Sequence, residues 1–310
     1  MIHLITEVSE EIEQKFVYSV PFLAQEKGTF VLWFFTGTRC NISCTHCYVN
    51  SSPENDSISY LQYSTFKRFL DEALEKDFPK LEIYFTGGEP FINPEILEML
   101  GESLKQADTT VLTNGTRVTD DMARKLRTIQ NMSERKFFFR VSLDGPDEAS
   151  NDSIRGEGSF KKARNGIQKL KDYGFESNII ITSMRSWPKK EAKVVEEKFV
   201  DLIVEDFAII KGSSSLKILP PLRIGRESNR SRPYTAREMF TDTCFTEYDY
   251  KMLQCSSCRM VTEKGVWVCP ILVNDERGRM SSTLTDSFVP YPMRSMACWT
   301  CRMEGMSCTN

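Results

Sequence analysis

The sequence carries no strong charge of either sign: 40 lysines and arginines against 43 acidic residues leave a net charge of −3. That balance gives no electrostatic footprint for nucleic acid or a membrane surface, although a small basic groove stays open. An apolar run long enough to span a bilayer is also missing, since VPFLA and FVLWFF are too short. The opening stretch, MIHLITEVSEEIEQKF, is acidic where a secretory signal needs a basic start. Internal repeats and low-complexity tracts do not stand out. These absences predict a cytoplasmic globular protein without a nucleic-acid or membrane partner.

What is present is cysteine, ten residues of it. In a reducing compartment that number points to metal ligation or redox work before disulfides. Cys40, Cys44 and Cys47 crowd into RCNISCTHCY, with His46 between the last two. Cys244, Cys255, Cys258, Cys269, Cys298, Cys301 and Cys308 lie near the far end. A CxxxCxxC loop puts three thiolates on a tight turn, enough for three irons of a cubane cluster. From spacing alone, zinc, iron–sulfur and idle thiols all remain open.

Between residues 30 and 220, short apolar runs alternate with segments of helical period. TFVLWFF (30–36), LEIYF (81–85), TTVLT (109–113), FFFRVSL (137–143), NIIIT (178–182) and LKIL (216–219) read as strands covered on both faces. Asn93-Pro94 is expected to open one helix, Thr119 to cap a second and Ser159 to cap a third. Repeated strand–helix–strand units predict a parallel sheet with right-handed crossovers, about six strands in all. In such sheets ligands sit at the C-terminal strand ends. The cysteine loop, TGGEP (86–90), TNG (113–115) and SLDGP (142–146) each fall there.

These motifs, in this order, resemble the signature of radical S-adenosylmethionine (radical SAM) enzymes. The resemblance implies a partial (β/α)6 TIM-type barrel over 30–222. An N-terminal extension (1–29) precedes it, and a connection (223–243) and a cysteine-rich module (244–310) come after. It implies that Cys40, Cys44 and Cys47 hold a [4Fe–4S] cluster whose open iron takes the amino and carboxylate groups of SAM. Gly87 and Gly88 would let the backbone approach that ligand, and Glu89 would accept from the methionyl ammonium. Ser142 matches a ribose contact, Arg155 a partner of the SAM carboxylate, and Asp144 either a ligand contact or a turn acceptor. A flavodoxin- or ferredoxin-type donor would reduce the cluster. The resulting 5′-deoxyadenosyl radical would take hydrogen from a peptide or a small natural-product intermediate.

LQCSSCRMVTEKGVWVCPIL (253–272) reads as a hairpin turning at EKG, with a later CxxC at 298–301. This order resembles the twitch form of the SPASM extension, which implies a second, auxiliary [4Fe–4S] cluster on Cys255, Cys269, Cys298 and Cys301. Cys258 and Cys308 are further candidates, as ligands or hydrogen donors to a substrate radical; Cys244 reads as an ordinary thiol. Arg223 and Arg226 either meet an anionic substrate or hold the modules together, and Trp267 and Trp299 are expected to shield a cluster. About thirty residues before the first strand are too few for a leader-peptide-binding domain, which weighs slightly against peptide maturation. The alternative from another class is a non-enzymatic iron–sulfur or zinc protein acting in electron transfer or as a scaffold.

Overall fold

A computed structural model describes residues 19–185, 191–207, 216–235, 238, 247–306, 308 and 309. Cys244 lies outside the described residues. Six parallel strands form the expected sheet: β1 (Phe30–Phe35), β2 (Leu81–Thr86), β3 (Asp108–Thr113), β4 (Phe137–Ser142), β5 (Ile179–Met184) and β6 (Leu216–Leu219). Each pairs with the next in sequence. Helices α1 (Tyr63–Leu74), α2 (Ile96–Gln106), α3 (Asp120–Gln130), α4 (Glu148–Arg155), α5 (Ser159–Asp172) and α6 (Ala192–Asp201) fill the connections. Among the described residues no helix is long and apolar enough to cross a membrane.

Alternation along the strands divides the buried side chains between two cores. From β1, Leu32 and Phe34 join the stripes Phe66, Phe69 and Leu70 of α1 and Met99, Leu100 and Leu104 of α2. Val31, Trp33 and Phe35 face the other way, into the barrel lumen, with Tyr84, Leu222 and Met260. Both faces of these strands are therefore covered, which is why their sequences are continuously apolar.

The cysteine-rich region extends this sheet instead of standing beside it. Its strand β7 (Cys258–Thr262) pairs parallel with β1, Val31 opposite Cys258, and closes the edge that β1 would otherwise expose. β8 (Gly265–Trp267) and β9 (Arg279–Ser281) continue the order outward. The hairpin turn is Glu263-Lys264, with Gly265 at φ +117° pairing back to Thr262.

Local capping departs from expectation in two places. Thr119 does accept from the Met122 amide. Asn93, however, lies before α2: its side-chain Oδ1 accepts from the Glu95 amide and its Nδ2 donates to the Thr36 and Leu61 carbonyls, anchoring the loop to β1. Ser159 is already helical. The Asp152 carboxylate takes over the capping, accepting from the Gly158 and Phe160 amides, because a carboxylate is the stronger acceptor at a helix N-terminus.

One buried cation fastens the C-terminal region. Arg259, on β7 and 0% exposed, donates to the carbonyls of Cys255, Cys258, Ser287 and Val289. Burial lowers its pKa to about 10, so it remains charged at neutral pH. Arg259→Met, which leaves these carbonyls without a donor, is expected to cost about 3 kcal/mol or more. A shift of the urea midpoint at constant slope measures it.

Candidate functional site

The C-terminal strand ends bring the four motifs onto one rim. The loop carrying Cys40, Cys44 and Cys47 leaves β1, and the Gly87-Gly88 turn leaves β2 directly beneath it. A Cβ on Gly88 would lie 1.9 Å from the Arg39 carbonyl oxygen, and one on Gly87 would lie 2.5 Å from Thr36 Oγ1. The amides of Gly88 and Glu89 donate to the carbonyls of Gly37 and Arg39 at 2.9 and 3.1 Å. The glycines were expected to admit a ligand. Both line the main cavity, and their closest contacts are with the base of the cysteine loop, so they also fix where that loop stands.

Glu89, expected as the ammonium acceptor, is turned inward. It is 1% exposed, does not line the cavity, and accepts from Phe91 N (3.1 Å), Thr113 Oγ1 (2.7 Å) and Asn114 N (2.8 Å). Burial pushes its pKa up, and these three donors oppose that shift. Its visible role is to tie the β2 loop to the TNG turn after β3. From that turn, Asn114 donates to Asn41 Oδ1 at 3.0 Å and points at Cys40 Sγ at 3.7 Å.

Asp144 is also internal, 2% exposed. One carboxylate oxygen stands 2.5 Å from His46 Nε2 and 2.6 Å from Arg155 Nε, and the other accepts from the Met184 amide at 2.8 Å. Burial opposes its ionisation, but Arg155 and then His46 outweigh it and hold the carboxyl far below the usual range. One group thus links the cysteine loop, the end of α4 and the end of β5.

The three thiols share a single cavity with Gly87, Gly88, Asn114, Ser142 and Arg155, about 1100 Å³ including its open mouth. Each sulfur faces at least one N–H donor: Cys47 the Ser51 backbone amide at 3.3 Å, Cys40 the Asn114 side-chain amide at 3.7 Å together with the Ile42 backbone amide, and Cys44 the Arg155 guanidinium at 4.0 Å. Such donors stabilise metal-bound thiolate. Burial above all pushes the Cys40 thiol up to about 12, and a coordinating metal is what converts such a thiol to thiolate. Among the described residues no three Cys, His, Asp or Glu side chains already stand at ligating separation. The fit to an iron–sulfur cluster rests on the donor set and on the N–H groups aimed at it.

A second, smaller chamber is lined by Cys255, Cys269, Cys298, Cys301 and Cys308 within an apolar wall that includes Leu253, Leu272 and Tyr291. The CxxC pair comes from helix α7 (Ala297–Met303). Burial, then the neighbouring Cys269 thiol, raises Cys255 to about 12, and burial raises Cys269 to about 11. The four cysteines that the twitch resemblance implies therefore line one chamber, joined by Cys308. Cys258 corrects expectation: its place on β7 pairs it with Val31, its thiol points to the Val268 carbonyl at 3.5 Å, and it lines neither cavity. Trp267 and Trp299 line neither cavity as well.

Cys308 lies where the two spaces adjoin. Arg140 donates to the Cys308 carbonyl and Lys217 to that of Thr309, and Cys308 and Ile271 border both cavities. Arg226 reaches the carbonyls of Cys44 (2.8 Å) and Ser51 (2.6 Å). Arg223 pairs with Glu238 at 2.5 Å and stacks on Tyr234, whose hydroxyl meets Thr300 of α7 at 2.7 Å. Both arginines therefore join the cysteine loop and α7 to the connection. Sequence reasoning missed Arg140, although a lone charge inside FFFRVSL was its signal.

The radical SAM superfamily profile matches residues 34–197, and the chain belongs to that superfamily, which implies SAM and a [4Fe–4S] cluster. The antilisterial bacteriocin subtilosin biosynthesis protein AlbA of Bacillus subtilis (strain 168) is 35% identical over 140 residues, 44% of this chain and 29% of AlbA. The AdoMet-dependent heme synthase of Nitratidesulfovibrio vulgaris is 31% identical over 162 residues, 50% of this chain and 40% of that protein. The cysteine-type anaerobic sulfatase-maturating enzyme of Clostridium perfringens is 30% identical over 159 residues, 46% and 40%. These matches span less than half of each relative. Among solved structures, native anSMEcpe with bound AdoMet and Cp18Cys peptide aligns with TM-score 0.58 at 15% identity over 84% of this chain and 80% of that one. Streptococcus suis SuiB bound to S-adenosylmethionine aligns with TM-score 0.57 at 14% identity, covering 84% and 64%. At such identities the structures speak for the fold, a partial barrel with a cysteine-rich C-terminal region.

Because the folded pKa of Asp144 is depressed, its stabilisation is present above the ordinary carboxylate value and is lost as pH falls toward the folded one. Asp144→Asn is expected to cost about 3 kcal/mol at neutral pH. That deficit should hold steady down to about pH 5 and shrink below about pH 4, as urea unfolding across pH reports.

Proposed function

We propose that this chain is a radical SAM enzyme that modifies an unactivated C–H bond of a peptide. The observation that carries the reading is the cavity itself: three thiols from one loop, a double-glycine turn, Ser142 and Arg155 converge on it at neighbouring strand ends. Cys40, Cys44 and Cys47 would hold the cluster, with Gly87, Gly88, Ser142 and Arg155 along the SAM path. Glu89 and Asp144 act by positioning, one on the TNG turn and the other on Arg155 and His46. Cluster and SAM together, when bound, supply reductive cleavage to a 5′-deoxyadenosyl radical and hydrogen abstraction; the electron would come from a flavodoxin- or ferredoxin-type donor.

Four of the five thiols in the second chamber would hold an auxiliary cluster, with Cys255, Cys269, Cys298 and Cys301 the preferred set. The chain's contribution there is exclusion of water. A peptide substrate is favoured by the relatives named for bacteriocin biosynthesis and sulfatase maturation. The match to a heme synthase supports a second reading, a small-molecule substrate.

Anaerobically reconstituted protein, given SAM and a strong reductant, is expected to release 5′-deoxyadenosine. Cys40→Ala, Cys44→Ala and Cys47→Ala should each lower that release by about 100-fold or more, as expected when a cofactor that carries the chemistry is lost. Iron-replete protein that forms none under any reductant would reject the enzyme reading, and full release from the variants would reject the site.

A further inference from the structure

Two guanidinium groups line the main cavity, and no aspartate or glutamate does. Arg155 is neutralised by Asp144. Arg140, 1% exposed, has no such partner. Its Nε donates to Thr182 Oγ1 at 3.2 Å and its Nη1 to the Cys308 carbonyl, both neutral acceptors. Among the described residues no carboxylate lies within ion-pair distance, and Nη2 has no acceptor. A buried cation with an unused donor at a cavity wall is costly unless an anion completes it.

Its height in the barrel says which anion. Arg140 lies two residues before Ser142 on β4, one inward-facing layer deeper than the SAM-contact rim and level with Leu112 of β3. Trp33, Leu112, Leu219 and Leu222 make the surrounding wall apolar. With Arg155 already paired to Asp144, the one guanidinium without a carboxylate partner, set in this apolar part of the wall, suits one planar carboxylate on an apolar body; a phosphate would call for more than one such cation.

We propose that Arg140 is a specificity-determining residue that receives a substrate carboxylate, so that the substrate is an organic acid or a peptide presenting an acidic group. Carboxylate recognition rests on the radical SAM reading only for the chemistry after binding. The reconstituted holoprotein with SAM is titrated calorimetrically with two probe pairs that each differ by one charge. These are phenylacetate against phenylacetamide, and N-acetylglutamate α-amide against N-acetylglutamine α-amide. Wild type should bind the carboxylate of at least one pair about tenfold or more tightly than its amide. The pair with the larger ratio identifies a free acid or a peptide side chain. Arg140→Gln should erase the ratio and Arg140→Lys should retain part of it. Equal or undetectable binding within both pairs by wild type overturns the proposal, as does a ratio that survives in Arg140→Gln. If Arg140→Gln fails to fold, wild type and Arg140→Lys still decide: a ratio that Arg140→Lys leaves undiminished rejects the role. Formation of 5′-deoxyadenosine is measured in parallel, so failure of the radical reading is seen separately from failure of carboxylate recognition.

Discussion

A single carboxylate shut away from solvent governs the geometry of the rim. Asp144 holds His46 from the cysteine loop, Arg155 from the end of α4 and the Met184 amide at the end of β5. Three segments far apart in sequence therefore cannot move independently without stranding a buried charge. Arg155 in turn points its other arm at Cys44. The position of the thiols is thus set through a carboxylate that itself stays off the cavity surface.

Glu89 and the two glycines do the same work on the opposite side. The glycine turn nests against the carbonyls of Gly37 and Arg39, and Glu89 passes that constraint on to Asn114. Residues that read as ligand contacts in the sequence serve first as fasteners between adjacent strand ends. The polar groups left facing the cavity include the thiols, Asn114, Ser142 and the guanidinium groups, and Trp33, Leu112, Leu219 and Leu222 line it beside them, a wall suited to hold a charged cofactor and exclude solvent.

The sheet and its motifs were legible because both are local: apolar runs mark strands buried on two faces, and each motif comes directly after its strand. The choice among cysteines was legible only in part. The resemblance to the twitch form grouped Cys255, Cys269, Cys298 and Cys301, but whether Cys258 or Cys308 joins them depends on strand pairing and on where Cys308 is clamped. Those are long-range contacts, β7 on β1 and Arg140 on the Cys308 carbonyl. The fusion of the C-terminal region to the barrel edge was hidden for the same reason, and a composition change read as a boundary. Asn93 and Ser159 misled because a capping residue type does not say which acceptor is nearest. Arg140 shows how a charge inside an apolar strand becomes informative once its face is known.

That the loop of Cys40, Cys44 and Cys47 holds a cluster with one iron left for SAM is tested most directly by electron–nuclear double resonance. The reduced, reconstituted protein is measured with SAM labelled with 15N at the amino group and 17O at the carboxylate. Hyperfine coupling of both labels to the cluster is predicted, and it should vanish when the three cysteines are replaced by alanine. An intact reduced cluster with bound SAM and no coupling to either label would contradict the assignment.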